Sequence, residues 1–110
     1  MEEIHHTEKK DAPSGTAISL ANDIISITSK NNWVNNESII EDEISIISHR
    51  LHNVTGTHIV QYKSDVDQIE IKHEAFNRSG FASGALLAAE IILQHKGIHT
   101  FSEILKLTNK

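Results

Sequence analysis

Polar and apolar positions alternate, cluster and alternate again along this chain. Residues 2–6 read as a short strand that ends in His5-His6. From Ser14 to Ser29 the apolar residues Ala17, Leu20, Ala21 and Ile24, with Thr28, recur at helical spacing and predict an amphipathic helix. Lys30-Asn31-Asn32 ends it, and residues 31–42 read as a polar connection in which Trp33 is a packing anchor. Three strands follow, at Ile44–Leu51, Thr57–Lys63 and Gln68–His73, with turns at Asn53–Gly56 and Ser64–Asp67. The third alternates cleanly, with Ile69, Ile71 and His73 on one face and Gln68, Glu70 and Lys72 on the other. Arg78–His95 predicts a second helix and Ser102–Leu107 a short third. The expected fold class is α+β: a mostly antiparallel or mixed four-stranded sheet with helices packed on it.

The second helix is apolar around most of its circumference. Ala82, Ala85, Leu86, Ala89, Ile92 and Leu93 form one face, and Leu87, Ala88 and Ile91 extend it. Such a helix requires burial on more than one side.

Composition narrows the function classes. At 110 residues the chain has the length of one domain, and its formal charge of −5 argues against nucleic acid as a partner. There is no cysteine, hence no disulfide framework or thiolate metal site, which fits a reducing, cytoplasmic setting. No apolar run approaches a membrane span.

The chemistry concentrates in residues 3–17. His5 and His6 are adjacent in a strand, so their side chains are expected on opposite faces; histidine can donate a proton near neutral pH. Lys9 adds a compact cation. Pro13 biases Ala12 toward an extended conformation, Ser14 or Thr16 can cap the helix, and Gly15 permits close approach of a ligand. The free N–H groups at a helix start form an anion site. Taken alone, Pro-Ser-Gly-Thr is a turn and cap, and a His-His pair is structural; their combination in one segment points to a small carboxylate substrate that is held there and receives a proton.

That segment, His5-His6-x-x-Lys9-x-Asp11-Ala12-Pro13-Ser14-Gly15-Thr16-Ala17, resembles the signature of the 4-hydroxy-tetrahydrodipicolinate (dihydrodipicolinate) reductase family of bacterial lysine biosynthesis. Arg50, Gly56-Thr57-His58, His73-x-Ala75-x-x-Arg78-x-x-Phe81-Ala82-x-Gly84-Ala85 and the tail from Lys96-Gly97 through Phe101 to Ile104-Leu105 follow in the family's order. Lys10 departs from it, standing where an apolar residue is common.

The resemblance implies a two-domain reductase of which residues 1–110 are the C-terminal, substrate-binding and tetramerisation domain. The segment from about residue 78 would pack toward a dinucleotide domain. None of the chain's five glycines forms G-x-G-x-x-G after a strand, so the Rossmann domain is expected to be absent and the cofactor, NADH or NADPH, to be held outside this chain. Alone, the chain is expected to be inactive. By resemblance His5 is the general acid and Lys9 the second catalytic group, while His6, Ser14, Gly15 and Thr16 contact a small cyclic dicarboxylate. From the residues alone the two histidines rank equally as the acid. Arg78 and Phe81, after a predicted hinge, would approach the nicotinamide or the domain boundary. Arg50, a charge inside a strand, would pair with a carboxylate across a subunit interface or lie on an exposed edge.

Two other readings come from different classes. Eight histidines suggest a metal module in which His5, His6, His49, His52, His58 and His73 converge, although no zincin-type spacing supports it. A purely oligomerising module is the other, and is compatible with a family whose C-terminal sheets associate as homotetramers.

Overall fold

A computed structural model describes residues 1–108. It divides into two compact units, Met1–Phe76 and Asn77–Lys110. The first is built on β1 (Glu2–His5), α1 (Gly15–Ile27), β2 (Asn32–Val34), β3 (Glu43–Ser45), β4 (Ile47–Arg50), β5 (Gly56–Lys63) and β6 (Gln68–Ala75). The second holds α2 (Ser79–Ile92) and α3 (Phe101–Thr108).

The main sheet has four strands in the order β4-β1-β5-β6. β1 pairs parallel with β4 and antiparallel with β5, and β5 pairs antiparallel with β6, so the sheet is mixed. The architecture is α+β as expected, and no Rossmann fold occurs among the described residues.

The segment expected as one strand over Ile44–Leu51 is two strands. Its first half pairs parallel with β2 in a separate two-stranded sheet, and its second half joins β1. The switch falls at Ile46, which is fully buried; its N–H reaches the Val34 carbonyl at 2.9 Å, and its own carbonyl accepts from the Asn35 side chain at 2.9 Å. β2 itself lies in the segment expected to be a polar connection. The polar run Asn31-Asn32 is held by side-chain bonds to Asp42 and Glu43, and Trp33 packs against the core as expected.

The core of the first unit is Ala17, Ala21, Ile44 and Ile46, with Met1, Ile24, Ile25 and Trp33 around it. Two small residues one helical turn apart on α1 let the helix approach closely. α1 ends two residues before expected, because the Thr28 hydroxyl takes the Ile24 carbonyl at 2.8 Å and the backbone turns extended. The Ser64–Asp67 turn closes the β5–β6 hairpin as expected, with the Ser64 amide donating to the Asp67 carbonyl at 3.0 Å.

In the second unit, α3 opens with a capping box. Glu103 accepts from the Thr100 amide at 2.7 Å, and the Glu103 amide donates to the Thr100 hydroxyl at 3.3 Å. The Phe101 ring lies over Gly84 of α2, 3.3 Å from where a Cβ would stand.

Candidate active site

Strand register assembles the site. Glu3 faces Ser48 of β4 on one side and His58 of β5 on the other, and His5 faces Arg50. Paired residues share a face of the sheet, so Glu3, His5, Arg50 and His58 converge on one side. Burial in β1 alternates accordingly: Glu3 and His5 are buried, and Ile4 is only partly covered. His6 lies just past the strand. Its carbonyl accepts from the Lys9 amide at 3.2 Å, and that turn folds Lys9 back.

Glu3 is the hub and was not singled out from sequence. It is fully buried, and both carboxylate oxygens are engaged. Oε2 accepts from the Ser14 amide at 2.9 Å, and Oε1 pairs with Arg50 Nη2 at 3.1 Å. Burial alone would raise its pKa; hydrogen bonds from Ser14, Ser48 and Arg50 outweigh that and hold it at about 2. A signal was present: an acid two residues before the histidine pair, on the same strand face as His5.

His5 stands beside this carboxylate, its Nδ1 3.5 Å from Glu3 Oε2, enclosed and with no hydrogen-bond partner. Its ring crosses that of His58 edge-on, with centroids 5.0 Å apart, and lies over Gly56, where a Cβ would come within 3.3 Å of Nε2. Desolvation lowers the pKa of His5; Glu3 opposes this, while Lys9, Arg50 and His6 reinforce it. Desolvation likewise lowers that of His58.

Ser14 is the cap of α1. Its hydroxyl accepts from the Ala17 amide at 3.2 Å and meets His58 Nε2 at 3.0 Å, so it is already committed within the protein. The Ile18 amide begins the helical ladder on the Ser14 carbonyl at 3.0 Å. Gly15 and Thr16, both exposed, stand in the first turn, where amides lack intrahelical acceptors. Lys9 pairs with Asp11 at 2.9 Å, and hydrogen bonding from Lys9 lowers the pKa of Asp11.

Arg50 lies on β4, an edge strand of the main sheet as one expectation had it, but its side chain is only partly exposed. It pairs within the chain with Glu3, and its guanidinium also donates to the carbonyls of Lys9 (3.2 Å), Asp11 (2.6 Å) and His49 (2.8 Å).

The proposed histidine convergence forms only in part. His5 and His58 join Glu3 with ligand atoms within 4.8 Å of one another. The Arg50 guanidinium on the same carboxylate repels a cation there, so the trio fits an internal ion-pair anchor better than a metal. His73 sits opposite His58 in register; His49 approaches Glu2 at 3.8 Å, and His52 lies in an exposed turn. Arg78 and the exposed Phe81 open α2 in the second unit.

The start of α1, with the first-turn amides of Gly15 and Thr16, thus follows closely on Lys9 and the buried His5 in one α+β chain. The chain belongs to the family of dihydrodipicolinate reductase C-terminal domains, whose model matches residues 1–105. It is 49% identical over 105 residues to the 4-hydroxy-tetrahydrodipicolinate reductase of Christiangramia forsetii, covering 96% of this chain and 44% of that one. The Thermosipho africanus enzyme of the same name is 43% identical over 105 residues, with 94% and 41% covered. Among solved structures, a dihydrodipicolinate reductase from Paenisporosarcina sp. TG-14 with dipicolinate bound is similar with a TM-score of 0.61 at 30% identity, over 78% of this chain and 36% of that one. The chain therefore spans less than half the length of these relatives.

Proposed function

We propose that this chain is the substrate-binding and proton-donating half of a cytoplasmic 4-hydroxy-tetrahydrodipicolinate reductase of lysine (diaminopimelate) biosynthesis. The reaction converts (2S,4S)-4-hydroxy-2,3,4,5-tetrahydrodipicolinate, a nicotinamide dinucleotide in its reduced form and a proton into tetrahydrodipicolinate, the oxidised dinucleotide and water. NADH or NADPH supplies the hydride. The five glycines here form no phosphate loop, so these residues do not fit a dinucleotide, and it is assigned to a separate N-terminal domain. α2 carries no buried residue, and its exposed Leu86, with exposed Leu93 just beyond its end, supports the assignment of the segment from about 78 to packing toward that domain. Arg78 and Phe81 would then lie near the nicotinamide.

The observation that carries the reading is the Lys9–Thr16 segment. It places a cation, Lys9, and the open amides of Gly15 and Thr16 on one loop-helix junction anchored beside His5. One substrate carboxylate takes the amides of Gly15 and Thr16, helped by the helix dipole. Lys9 leaves Asp11 to neutralise the substrate, and His6 supplies a further polar contact. Ser14 serves by shaping the turn. His5 delivers the proton, its ring oriented by Glu3. A dipicolinate-bound structural relative supports the same ligand class. The functional protein is proposed to be a homotetramer.

Calorimetric titration of the metal-stripped full-length protein with pyridine-2,6-dicarboxylate tests this. One-to-one binding is expected, weakened roughly 10- to 100-fold by Lys9→Ala through loss of a charge-assisted contact. Unchanged affinity in that variant would remove Lys9 from the site.

A further inference from the structure

The part-buried Glu3–Arg50 pair reaches the segment just described at three points. Glu3 Oε2 holds the Ser14 amide, where α1 begins. Through Oε1 it seats Arg50, whose Nε and Nη2 hold the carbonyls of Lys9 and Asp11. One ion pair thus fixes main-chain atoms at positions 9, 11 and 14. Buried ion pairs add little net stability compared with an apolar pair of similar volume, because desolvation offsets their attraction. What this pair gives is geometry: a planar fork can hold two carbonyls and a carboxylate in fixed directions, whereas an ammonium cannot. The four hydrogen bonds of the guanidinium go to the protein itself, so Arg50 is no ligand for the substrate.

We propose that Arg50, seated on Glu3, is a positioning residue for dicarboxylate binding, setting the spacing between the Lys9 ammonium and the Gly15–Thr16 amides. The inference rests on the functional reading above. A ligand with two carboxylates needs its cation and its amide donors at a fixed separation, and an unpinned loop would have to be ordered anew at each binding event.

The test is a pair of variants of the full-length protein. Arg50→Lys keeps a charge beside Glu3 but not the fork; Glu3→Gln keeps an acceptor but not the charge. Each is measured for melting temperature, NAD(P)H affinity, pyridine-2,6-dicarboxylate affinity and the split between KM and kcat. The expected result is a rise of about 10-fold in the dicarboxylate Kd and the substrate KM, with NAD(P)H affinity unchanged. An Arg50→Ala variant should recover part of its dicarboxylate affinity on addition of guanidinium ion at concentrations too low to denature. Wild-type dicarboxylate affinity in whichever variant folds, or equal losses for dicarboxylate and NAD(P)H, would overturn the proposal and leave the pair a purely structural one. No dicarboxylate binding by the unaltered protein would instead overturn the functional reading, and this inference with it.

Discussion

His5 is useful as an acid only if it holds a proton when the substrate arrives. Burial is the largest influence on its pKa and lowers it, as it does for neighbouring His58, so both favour the neutral form at neutral pH. A dicarboxylate beside the ring favours the charged form and raises that pKa. Binding should therefore take up protons, and affinity should increase as pH falls from about 8 to about 6. Calorimetry in buffers of differing ionisation enthalpy reads the uptake directly; His5→Asn should reduce it, and a pH-independent affinity would contradict this account. The ring is also sterically confined. In Gly56→Ala the new methyl would stand 3.3 Å from Nε2 and 3.4 Å from Cδ2, displacing the imidazole by a few tenths of an ångström. Turnover should drop about 10-fold while the melting temperature changes little, since misplacing a reacting group costs more in rate than in stability. These residues also mark what the sequence could reveal. His5, Lys9 and Ser14–Thr16 were visible because they lie within one segment of twelve residues. Glu3, Gly56, His58 and Arg50 come together through pairing across three strands, and periodicity within a strand carries no record of its neighbours.

At the level of elements, ends matter more than interiors. α3 is a short helix, largely exposed apart from Ile104, that opens on a capping box in which Thr100 and Glu103 satisfy each other's amides. Thr100→Ala should destabilise it by about 1 kcal/mol. The check is faster amide exchange in the first turn of α3, with the strands of the first unit unaffected. Helix positions were legible because apolar residues recur at a fixed spacing, and the β5–β6 hairpin because its turn chemistry is local. β2 was not, since Asn-Trp-Val between polar residues has too few apolar positions to alternate. It becomes a strand because Glu43–Ser45 lies alongside in parallel register, a partner eleven residues further on. The same pairing explains why the expected Ile44–Leu51 strand divides at Ile46: its halves serve different sheets.

For the molecule as a whole, two surfaces of opposite character set its behaviour. Inside, Glu3 is held ionised, its pKa at about 2 rather than 4.5. A lowered carboxylate pKa means the unfolded chain binds the proton first. Its contribution is complete above pH 4.5 and is lost as pH falls toward about 2. Acid unfolding followed by circular dichroism should show this loss, with a flatter profile in Glu3→Gln. Outside, the β5–β6 hairpin turns apolar side chains outward. Register pairs Tyr62 with Ile69 and Val60 with Ile71, putting all four on one face. Of these only Val60 is buried, whereas Tyr62 is 44%, Ile69 63% and Ile71 60% exposed. With Leu20, Ile24 and Ile27 of α1, Val60, Tyr62 and Ile71 line a groove of about 280 Å³. A contiguous apolar surface of this kind favours a protein partner, and self-association is the economical source of one. The formal charge of −5 on these 110 residues opposes their self-association at low ionic strength, so association of this chain by itself should strengthen as salt screens it. Light scattering of the full-length protein should give a species larger than a monomer, and Ile69→Lys with Ile71→Lys should shift it to smaller species while dicarboxylate binding within each copy persists. An unchanged mass in that double variant would show that the copies associate through another surface, and that this groove meets water in the assembled protein.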